Sequence, residues 1–463
     1  MKEYWIETEP IQFLAIYNME IDVGVNRHGI AKICGYIADE REEEYLDMLM
    51  QEVWISITAV ANQRRKNVFC GIVKNFKIGK KQGQKSLELV LVSGTFLMDL
   101  QKHTRLFQDN STKYDEILRQ LEDLNGSHGK IVDASLECPI ENLIVQFEET
   151  DWEFLLRLLS NCQSFLVPEA RKQGIFYSIS FVEGQELVIN NENYTLEKNT
   201  EEYMNKKNNG MFLDLSDSFV CNITERELYY LGDYVIWHGL KMYIEQITIQ
   251  YINGELINHY KARTRKGILI PQYYQDKISG NSMMGIVREV KEDKVRIRII
   301  EDENADNYIG KWFLFSTPYS SADGSGWYFM PETGDAIRLY FPSKIENEAY
   351  VISAVNMETM NDYRKNPDHK ILKNKQNKEI RFTPDMILIT NNNGMKIEMI
   401  DGQGIHIESD KSIFIESGED MNIVSKNGSL VLAADSLLEL NQGGTSIQLQ
   451  DGIQFMGGEF HVQ

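Results

Sequence analysis

Apolar residues recur at helical spacing over residues 113–124 and form one hydrophobic stripe along that segment. Thr112 with Asp115 approximates a capping box before the stripe, and Asn125 and Gly126 provide a stop signal after it. The pattern therefore predicts a first amphipathic helix.

A second helical stripe covers residues 151–161. Thr150 and Glu153 stand at the capping-box spacing at its start, and Trp152 and Leu155 lie on its apolar side. Around the two helices the pattern changes to short runs of β type, at residues 68–72, 87–92, 176–181 and 243–251. We therefore expect β-barrel or sandwich domains with helical insertions in this half of the chain.

Two further strand candidates lie at residues 285–290 and 295–299, on either side of a charged turn, and the second alternates strictly between apolar and polar residues. Two more strand candidates follow at residues 336–341 and 349–355, and the Pro-Glu-Thr-Gly-Asp sequence at 331–335 is typical of a tight turn between strands. About five strands within roughly 85 residues suit a small closed barrel. The oligonucleotide/oligosaccharide-binding (OB) type is the natural candidate.

The last part of the chain carries short alternating triplets that recur about every eight residues. Turns with Gly and Asn or Asp separate the triplets, which begin at residues 405, 413, 421, 430, 438, 447, 453 and 460. A strand this short buries too little apolar surface to offset its ordering entropy, so we expect three chains to wind into a trimeric β-prism. Two alternatives remain for this repeat. The short period disfavours a single-chain parallel β-helix, and the regularly placed Gly and charges disfavour an amyloid-like segment.

Composition and charge narrow the classes of function. The chain has 463 residues, of which 42% are hydrophobic and 25% charged, as in globular proteins. Its net charge of −21 disfavours nucleic acids and acidic membranes as general partners. The five cysteines form no CxxC pair, so we expect reduced thiols buried as small hydrophobic residues. The first residues lack the pattern of a signal peptide, which predicts synthesis in the cytoplasm.

Several short motifs occur in an order that points to one family. Residues 25–37 hold two runs of opening-strand type, and residues 144–159 hold a Glu-Thr-Asp-Trp-Glu sequence that leads into an apolar helix. Residues 326–342 and 351–356 hold the Pro-Glu-Thr-Gly-Asp turn and the strands around it. Together these stretches resemble the VgrG and contractile phage tail hub-spike family, which includes late control protein D-like proteins.

The pattern and the resemblance together predict a mainly β fold with a few helices, in four parts. Residues 1–272 are expected to form a hub of two barrel-like subdomains with helical insertions, and residues 273–356 an OB-type barrel. Residues 357–390 would be a linker that leads into the prism, and residues 391–463 a trimeric β-helix spike. That the hub holds two barrels, so that three chains match a hexameric tube, is implied by the resemblance alone.

The resemblance implies a structural function. Three chains would join the inner tube of a contractile injection system to its piercing tip and puncture the target envelope when the sheath contracts. Expected partners are the inner tube protein, baseplate proteins and a PAAR-like tip protein or effector, with transient contact with the target membrane and none with nucleic acid. The particle would act outside the producing cell or in the target cell. A cell-surface or glycan-binding tail adhesin without a piercing role is the alternative.

We expect neither catalysis nor a resident cofactor. The sequence contains no catalytic or nucleotide-binding signature, and the segment between the predicted barrel and prism is too short for the wall-degrading domain that some phage spikes carry. The candidate metal ligand is His461, because three copies about an axis would offer three imidazoles. Some related spikes bind iron through an HxH pair near the tip, but Phe460-His461-Val462 lacks the second histidine, which leaves an octahedral shell incomplete.

Overall fold

The computed structural model describes residues 4–81, 83–132, 134–188, 193–252, 254–305, 310–357 and 364–458. The chain divides into two compact units, Met1–Met357 and Glu358–Gln463. Each is described by itself below. The mainly β fold with a few helices that the sequence predicts is confirmed.

The first unit holds most of the strands and all five α-helices of the described residues. The helices are α1 (Glu42–Leu49), α2 (Tyr114–Asn125), α3 (Asp151–Asn161), α4 (Thr200–Asn208) and α5 (Arg265–Ile268). The strands are β1 (Trp5–Glu9), β2 (Ala15–Gly24), β3 (Ile30–Tyr36), β4 (Trp54–Ala61), β5 (Arg64–Lys81), β6 (Gln84–Val92), β7 (Lys102–Phe107), β8 (His128–Ile131), β9 (Ile144–Thr150), β10 (Leu166–Pro168), β11 (Phe176–Ile179), β12 (Tyr194–Lys198), β13 (Phe219–Glu225), β14 (Tyr234–Trp237), β15 (Leu240–Ile252), β16 (Glu255–Thr264), β17 (Ser282–Lys291), β18 (Lys294–Ile299), β19 (Trp312–Leu314), β20 (Ala336–Tyr340) and β21 (Tyr350–Val355).

An eleven-stranded sheet forms the largest part of this unit, in the order β1-β4-β5-β6-β3-β2-β15-β16-β13-β12 with β14 paired to β15. Its strands come from two groups that are far apart in sequence, β1–β6 and β12–β16. They meet where β2 pairs antiparallel with β15, with Ile21 opposite Ile249. Both residues belong to one large hydrophobic core that spans the two groups. Whether each group forms one of the two hub barrels stays a prediction.

Helices α2 and α3 lie in the segment between these groups. The α2 stripe is buried at Ile117, Leu118 and Leu121, and Gly126 ends the helix with a φ of 59°. The predicted cap was wrong by one residue, because the carboxylate of Glu116 accepts from the backbone N–H of Lys113 at 3.1 Å. The pair Thr112 and Asp115 plays no such part, since α2 begins after Lys113.

The start of α3 confirms the capping box that the sequence predicts. Thr150 Oγ1 accepts from the N–H of Glu153 at 3.1 Å, and the Glu153 carboxylate accepts from the N–H of Thr150 at 3.1 Å. The helix is buried on several sides, with Trp152 and Phe154 in one core cluster with α2. Its first and last residues are therefore fixed both by local capping and by packing.

Residues 282–355 form a five-stranded antiparallel sheet in the order β19-β18-β17-β20-β21. A parallel bridge between Phe315 and Val351 joins its two edges, and the N–H of Ser316 donates to the Val351 carbonyl at 2.8 Å. This strand order, with one parallel bridge between the residue after β19 and β21, agrees with the predicted OB-type barrel. We call residues 282–355 the barrel below, and its closure stays a prediction. The predicted turn before β20 is present, with Gly334 at a φ of 97°.

The second unit contains two antiparallel meanders. The first joins β22 (Lys370–Lys373), β23 (Glu379–Phe382), β24 (Met386–Thr390), β25 (Met395–Ile400) and β26 (Gly404–Ser409), and the second joins β27 (Leu438–Gln442), β28 (Thr445–Leu449) and β29 (Ile453–Met456). The predicted triplets at 405, 438, 447 and 453 lie in strands. Those at 413, 421 and 430 do not, because no strand pairs within the chain over residues 410–437.

The cysteines differ in part from expectation. All five are free, and Cys34, Cys70 and Cys221 are buried as predicted. Cys138 is exposed and Cys162 is partly exposed, because they lie at the ends of helical segments and not in the central strands.

Candidate functional site at the hub and barrel junction

The two-stranded sheet β7–β9 lies between the helices and the OB-type barrel, and we call its contact with the barrel the junction. Successive side chains of a strand point to opposite faces. In β9, Ile144 packs with α2 and α3 whereas Val145 packs with the barrel. In β7, Phe107 packs with the two helices and Leu106 packs with the barrel. The β7–β9 sheet is thus the shared middle layer of two cores.

On the barrel side, this layer closes the barrel core. Leu106, Leu143 and Val145 are almost fully buried there. The barrel residues in the same hydrophobic cluster are Ile278, Met283, Val287, Val295, Ile297, Ile299, Phe313, Ile337, Leu339, Phe341 and Val351. Burying each aliphatic side chain of this size contributes about 1.5–3 kcal/mol. The hub and the barrel therefore share one continuous hydrophobic core at this point.

Arg157 of α3 ties the same three layers together by charge. Its guanidinium binds both carboxylate oxygens of Glu149 at the end of β9, at 2.9 Å from Nε to Oε1 and 2.8 Å from Nη2 to Oε2. Nη1 binds Oε1 of Glu346 in the barrel at 2.9 Å, and Nη2 donates to the Val145 carbonyl at 2.6 Å. Arg157 and Glu149 are 5% and 6% exposed, so this pairing is shielded from water.

One guanidinium faces two carboxylates in this cluster, and the pKa shifts reflect the imbalance. Burial raises the pKa of Glu346, and although Arg157 opposes that effect, the nearby charge of Glu149 adds to it. Burial alone would lower the pKa of Arg157, but its hydrogen bonds and charge contacts with Glu149 and Glu346 hold that pKa above its ordinary value. Arg157 therefore stays charged, and the carboxyl of Glu346 protonates more readily than an ordinary glutamic acid.

A second polar contact fixes β7 against the barrel. The N–H of Leu106 donates to Oδ1 of Asp302 at 2.9 Å, and the N–H of Glu303 donates to the Thr104 carbonyl at 3.0 Å. Arg105, which is 3% exposed, binds Asp151 at 2.5 Å and Glu303 at 3.1 Å. Backbone hydrogen-bonding groups at the outer edge of β7 thus find partners in the segment that follows β18.

Asp151 links this contact to the helices, since it is the first residue of α3. Burial would raise the pKa of Asp151, but hydrogen bonds from Gln146, Asn125 and Arg105 outweigh burial and lower it. Asn125, the last residue of α2, donates to Asp151 at 2.7 Å. The carboxylate therefore remains ionised and holds the end of α2, the start of α3 and β7 at one point.

The junction brings together the motifs that the sequence analysis singled out. His28 of the opening motif packs on Trp152, with ring centroids 4.1 Å apart. Val145 and Arg157 belong to the second motif, and Val351 belongs to the barrel motif. Trp152, Phe154 and Arg157 of this motif are buried inside the protein. Motifs separated by up to three hundred residues thus meet in one structural site.

Sequence reasoning missed the ion pairs at this site. Glu149, Asp151 and Arg157 are charged residues within an otherwise apolar run, and that was an available signal, because a buried charge needs a partner. The sequence around Glu346 contains no comparable sign that this residue takes part in a buried ion pair. The metal candidate His461 falls in residues 459–463, outside the described part of the chain. Within the described part, no group of three or more His, Cys, Asp or Glu could hold a metal ion.

Among the described residues, no helix is long and apolar enough to cross a membrane. The other feature that bears on function is the surface of the second unit, where many large apolar side chains are more than half exposed. They are Ile405, Ile407, Ile413, Phe414, Ile415, Ile423, Val424, Leu430, Val431, Leu432, Leu440, Ile453 and Phe455. In water such a surface is unfavourable unless another chain covers it.

Part of this architecture matches a known protein family. Residues 35–206 match the family model of the phage tail baseplate hub, a segment that runs from β3 to α4 and includes α2, α3 and the β7–β9 sheet. No curated protein matches the chain.

Solved structures share the fold at low sequence identity. One is the Escherichia coli c3393 protein, a type VI secretion component described as structurally similar to the T4 tail proteins gp27 and gp5, with a TM-score of 0.54, 12% identity, and 76% of this chain and 100% of that one covered. The half-lidded Francisella PdpA-VgrG complex gives a TM-score of 0.56 at 11% identity, with 88% of each chain covered. A lidless PdpA-VgrG complex gives 0.57 at 11% identity, with 88% and 98% covered. The chain therefore shares the fold of VgrG-like hub proteins, and its residues 35–206 match the phage tail baseplate hub family.

Proposed function

We propose that this chain is the structural hub and spike of a contractile injection system. The observation that carries the proposal is the junction, where one hydrophobic core and the ion pairs of Arg157 and Arg105 join the hub domain to the barrel. A part that transmits thrust along a tail must not bend between its segments. A close-packed core restricts such bending, and the contacts of Arg157 with Glu346 and of Arg105 with Glu303 add ion pairs between the two parts.

We further propose that three copies assemble through the second unit. Covering one exposed aliphatic side chain of Ile or Leu size stabilises an assembly by about 1.5–3 kcal/mol. Ile405, Ile407 and Ile415 are 68%, 60% and 71% exposed in the single chain. In a trimer, all three copies of each side chain would be covered. The strand-free segment 410–437 would gain strand partners from the other two copies.

The partners follow from this assignment. The hub would bind the inner tube protein and baseplate proteins, and the far end of the spike would carry a PAAR-like tip protein or an effector. The VgrG proteins of similar fold are described in complex with PdpA, which supports a partner of the effector kind. The role is mechanical, without a catalytic step or a resident cofactor. The particle would act outside the producing cell, with transient contact with the target membrane, and iron at His461 stays a sequence-based prediction.

Light scattering on the full-length chain tests the assembly. We expect a mass three times the 53.6 kDa of one chain over a wide concentration range. A stable monomer would contradict the trimer. Mixing the purified protein with assembled inner tubes of the same particle tests the hub role, since electron micrographs should show one cap per tube end. Tubes that stay uncapped at saturating protein would contradict it.

A further inference from the structure

The connection from β19 to β20 carries an ordered hairpin, which we call the aromatic hairpin (residues 319–329). The N–H of Trp327 donates to the Tyr319 carbonyl at 2.8 Å, and the N–H of Ser321 donates to the Ser325 carbonyl at 2.9 Å. Gly326 has a φ of 131°, and a Cβ there would lie 2.4 Å from the Tyr319 carbonyl oxygen. Only glycine fits that approach, so the backbone itself fixes the shape of the hairpin.

Four aromatic side chains stand on this hairpin and face water. Tyr319 and Trp327 are each 53% exposed, Tyr328 is 69% exposed and Phe329 is 48% exposed. The rings of Trp327 and Phe329 are 5.3 Å apart between centroids. Large aromatic residues grouped on an ordered surface element mark a binding site more often than a structural need.

Hydroxyl and carboxylate groups lie on the same hairpin, next to the hydroxyl of Tyr319. Ser325 Oγ donates to Oδ1 of Asp323 at 2.7 Å, and the hydroxyls of Tyr319 and Ser325 are 3.2 Å apart. Ser321 Oγ lies 3.4 Å from the Tyr319 hydroxyl. Apolar ring faces and hydrogen-bonding groups therefore alternate over a short distance, and all of them are accessible.

The hairpin sits at a part of the barrel that the OB fold commonly uses for ligands. The Tyr328 hydroxyl donates to the carbonyl of Glu292 at 2.9 Å, and Glu292 lies in the turn between β17 and β18. In OB-type barrels that turn and the face of the second and third strands bind oligonucleotides or oligosaccharides. Here that face holds Trp312 with the guanidinium of Arg296 over it at 4.5 Å. This placement is a fold-level analogy, and the residues of the hairpin carry the argument.

The charge of the hairpin favours an uncharged oligosaccharide over an oligonucleotide. Residues 315–335 contain Asp323, Glu332 and Asp335 and neither lysine nor arginine. The whole chain carries a net charge of −21. A nucleic acid or an acidic lipid gains its affinity from neutralising its phosphates, and the hairpin itself, unlike the neighbouring strand with Arg296, offers no cation for this. An uncharged ligand with apolar faces and a hydroxyl rim meets no such repulsion.

We propose that the aromatic hairpin binds a neutral oligosaccharide. The C–H face of a pyranose ring is apolar and stacks on an aromatic ring, and its hydroxyls can bond the Ser and Asp groups of the hairpin. Trp327, with the largest ring, is the main stacking platform. The site adds carbohydrate binding to the barrel and does not depend on the mechanical role of the chain.

Saturation-transfer difference NMR on the full-length protein tests the site, with a panel of neutral linear tetrasaccharides of glucose, N-acetylglucosamine, mannose and galactose. We expect saturation transfer to at least one of them. Trp327→Ala should weaken that binding roughly tenfold or more, by analogy with base stacking on aromatic side chains. Trp327→Tyr should retain most of the affinity. Phe212→Ala is the matched control, because Phe212 is 93% exposed and lies outside the hairpin.

Three outcomes would overturn the proposal. The first is that no member of the panel receives saturation. The second is that a thymidine oligonucleotide binds the site more tightly than every sugar. The third is that Trp327→Ala changes the oligomeric mass but not the sugar affinity, which would make the hairpin a contact between copies of the chain. Trp327 belongs to no core cluster, so an unchanged melting temperature in Trp327→Ala confirms that the variant is folded.

Discussion

Replacing Arg157 by alanine tests the junction most directly, because one guanidinium serves the helices, the β7–β9 sheet and the barrel. The variant leaves Glu149, which is 6% exposed, without a counter-ion and leaves Glu346 with one bond fewer. Removing one partner of a buried ion pair costs about 3–5 kcal/mol, since the remaining charge is buried and unpaired. We expect the free energy of unfolding of the hub and barrel to fall by that amount.

The loss should depend on pH in a definite direction. Without Arg157, two neighbouring buried carboxyls raise each other's pKa, and burial already raises the pKa of Glu346 in the native protein. A carboxyl whose folded pKa is raised binds its proton more tightly in the folded state. The penalty of Arg157→Ala should therefore be greatest near pH 7 and shrink as the pH falls towards the ordinary value of a glutamic acid.

Urea unfolding followed by tryptophan fluorescence, at fixed protein concentration, measures the effect. Arg119→Ala is the matched control, because Arg119 is 70% exposed and pairs only with Asp115 along α2. That variant should unfold like the native protein, since exposed pairs contribute little. A loss below about 1 kcal/mol in Arg157→Ala, or one that is the same at pH 7 and pH 5, would refute the role given to the cluster.

Three further variants test other parts of the structure. Glu346→Gln keeps the oxygen that Arg157 and the N–H of Val145 bind but removes the carboxyl group. The raised pKa of that carboxyl costs stability when the pH is above the ordinary pKa of a glutamic acid. In urea unfolding the variant should therefore be at least as stable as the native protein at pH 7 and equal to it near pH 4. Leu106→Ala removes a fully buried side chain from the shared core and should lower the free energy of unfolding by about 2–5 kcal/mol in the same assay. Ile407→Asp would place three carboxylates in the proposed trimer contact, so light scattering should show dissociation, whereas Glu408→Gln on the same strand should leave the trimer intact.

The elements that depend on short-range chemistry could be predicted from the sequence. The helix α3 begins where Thr150 and Glu153 cap it, and its apolar stripe is visible in the sequence. The start of α2 was misplaced because Asp115 and Glu116 both suit a first turn, and only the packing of the helix decides between them. Local patterns therefore locate elements well but leave their ends uncertain by a residue.

Long-range pairs could not be predicted in this way. The ion pair of Arg157 with Glu346 joins residues 189 positions apart, and no periodicity near either residue names its partner. The triplets at 413, 421 and 430 have a strand pattern but no strand in the single chain. Their pattern specifies which side chains alternate, whereas the partner backbone would have to come from another copy.

The pairing of β2 with β15 also affects how the protein folds as it is made. About 220 residues separate these strands, so at ribosomal rates of about 5–20 residues per second β2 waits roughly 10–45 s for its partner. During that time the nascent chain presents an unpaired strand edge, which is a site of aggregation. Such distant pairing also slows folding, because a long loop must close before the contact stabilises the chain. Expression at lower temperature or with a chaperone should therefore raise the soluble yield of this protein.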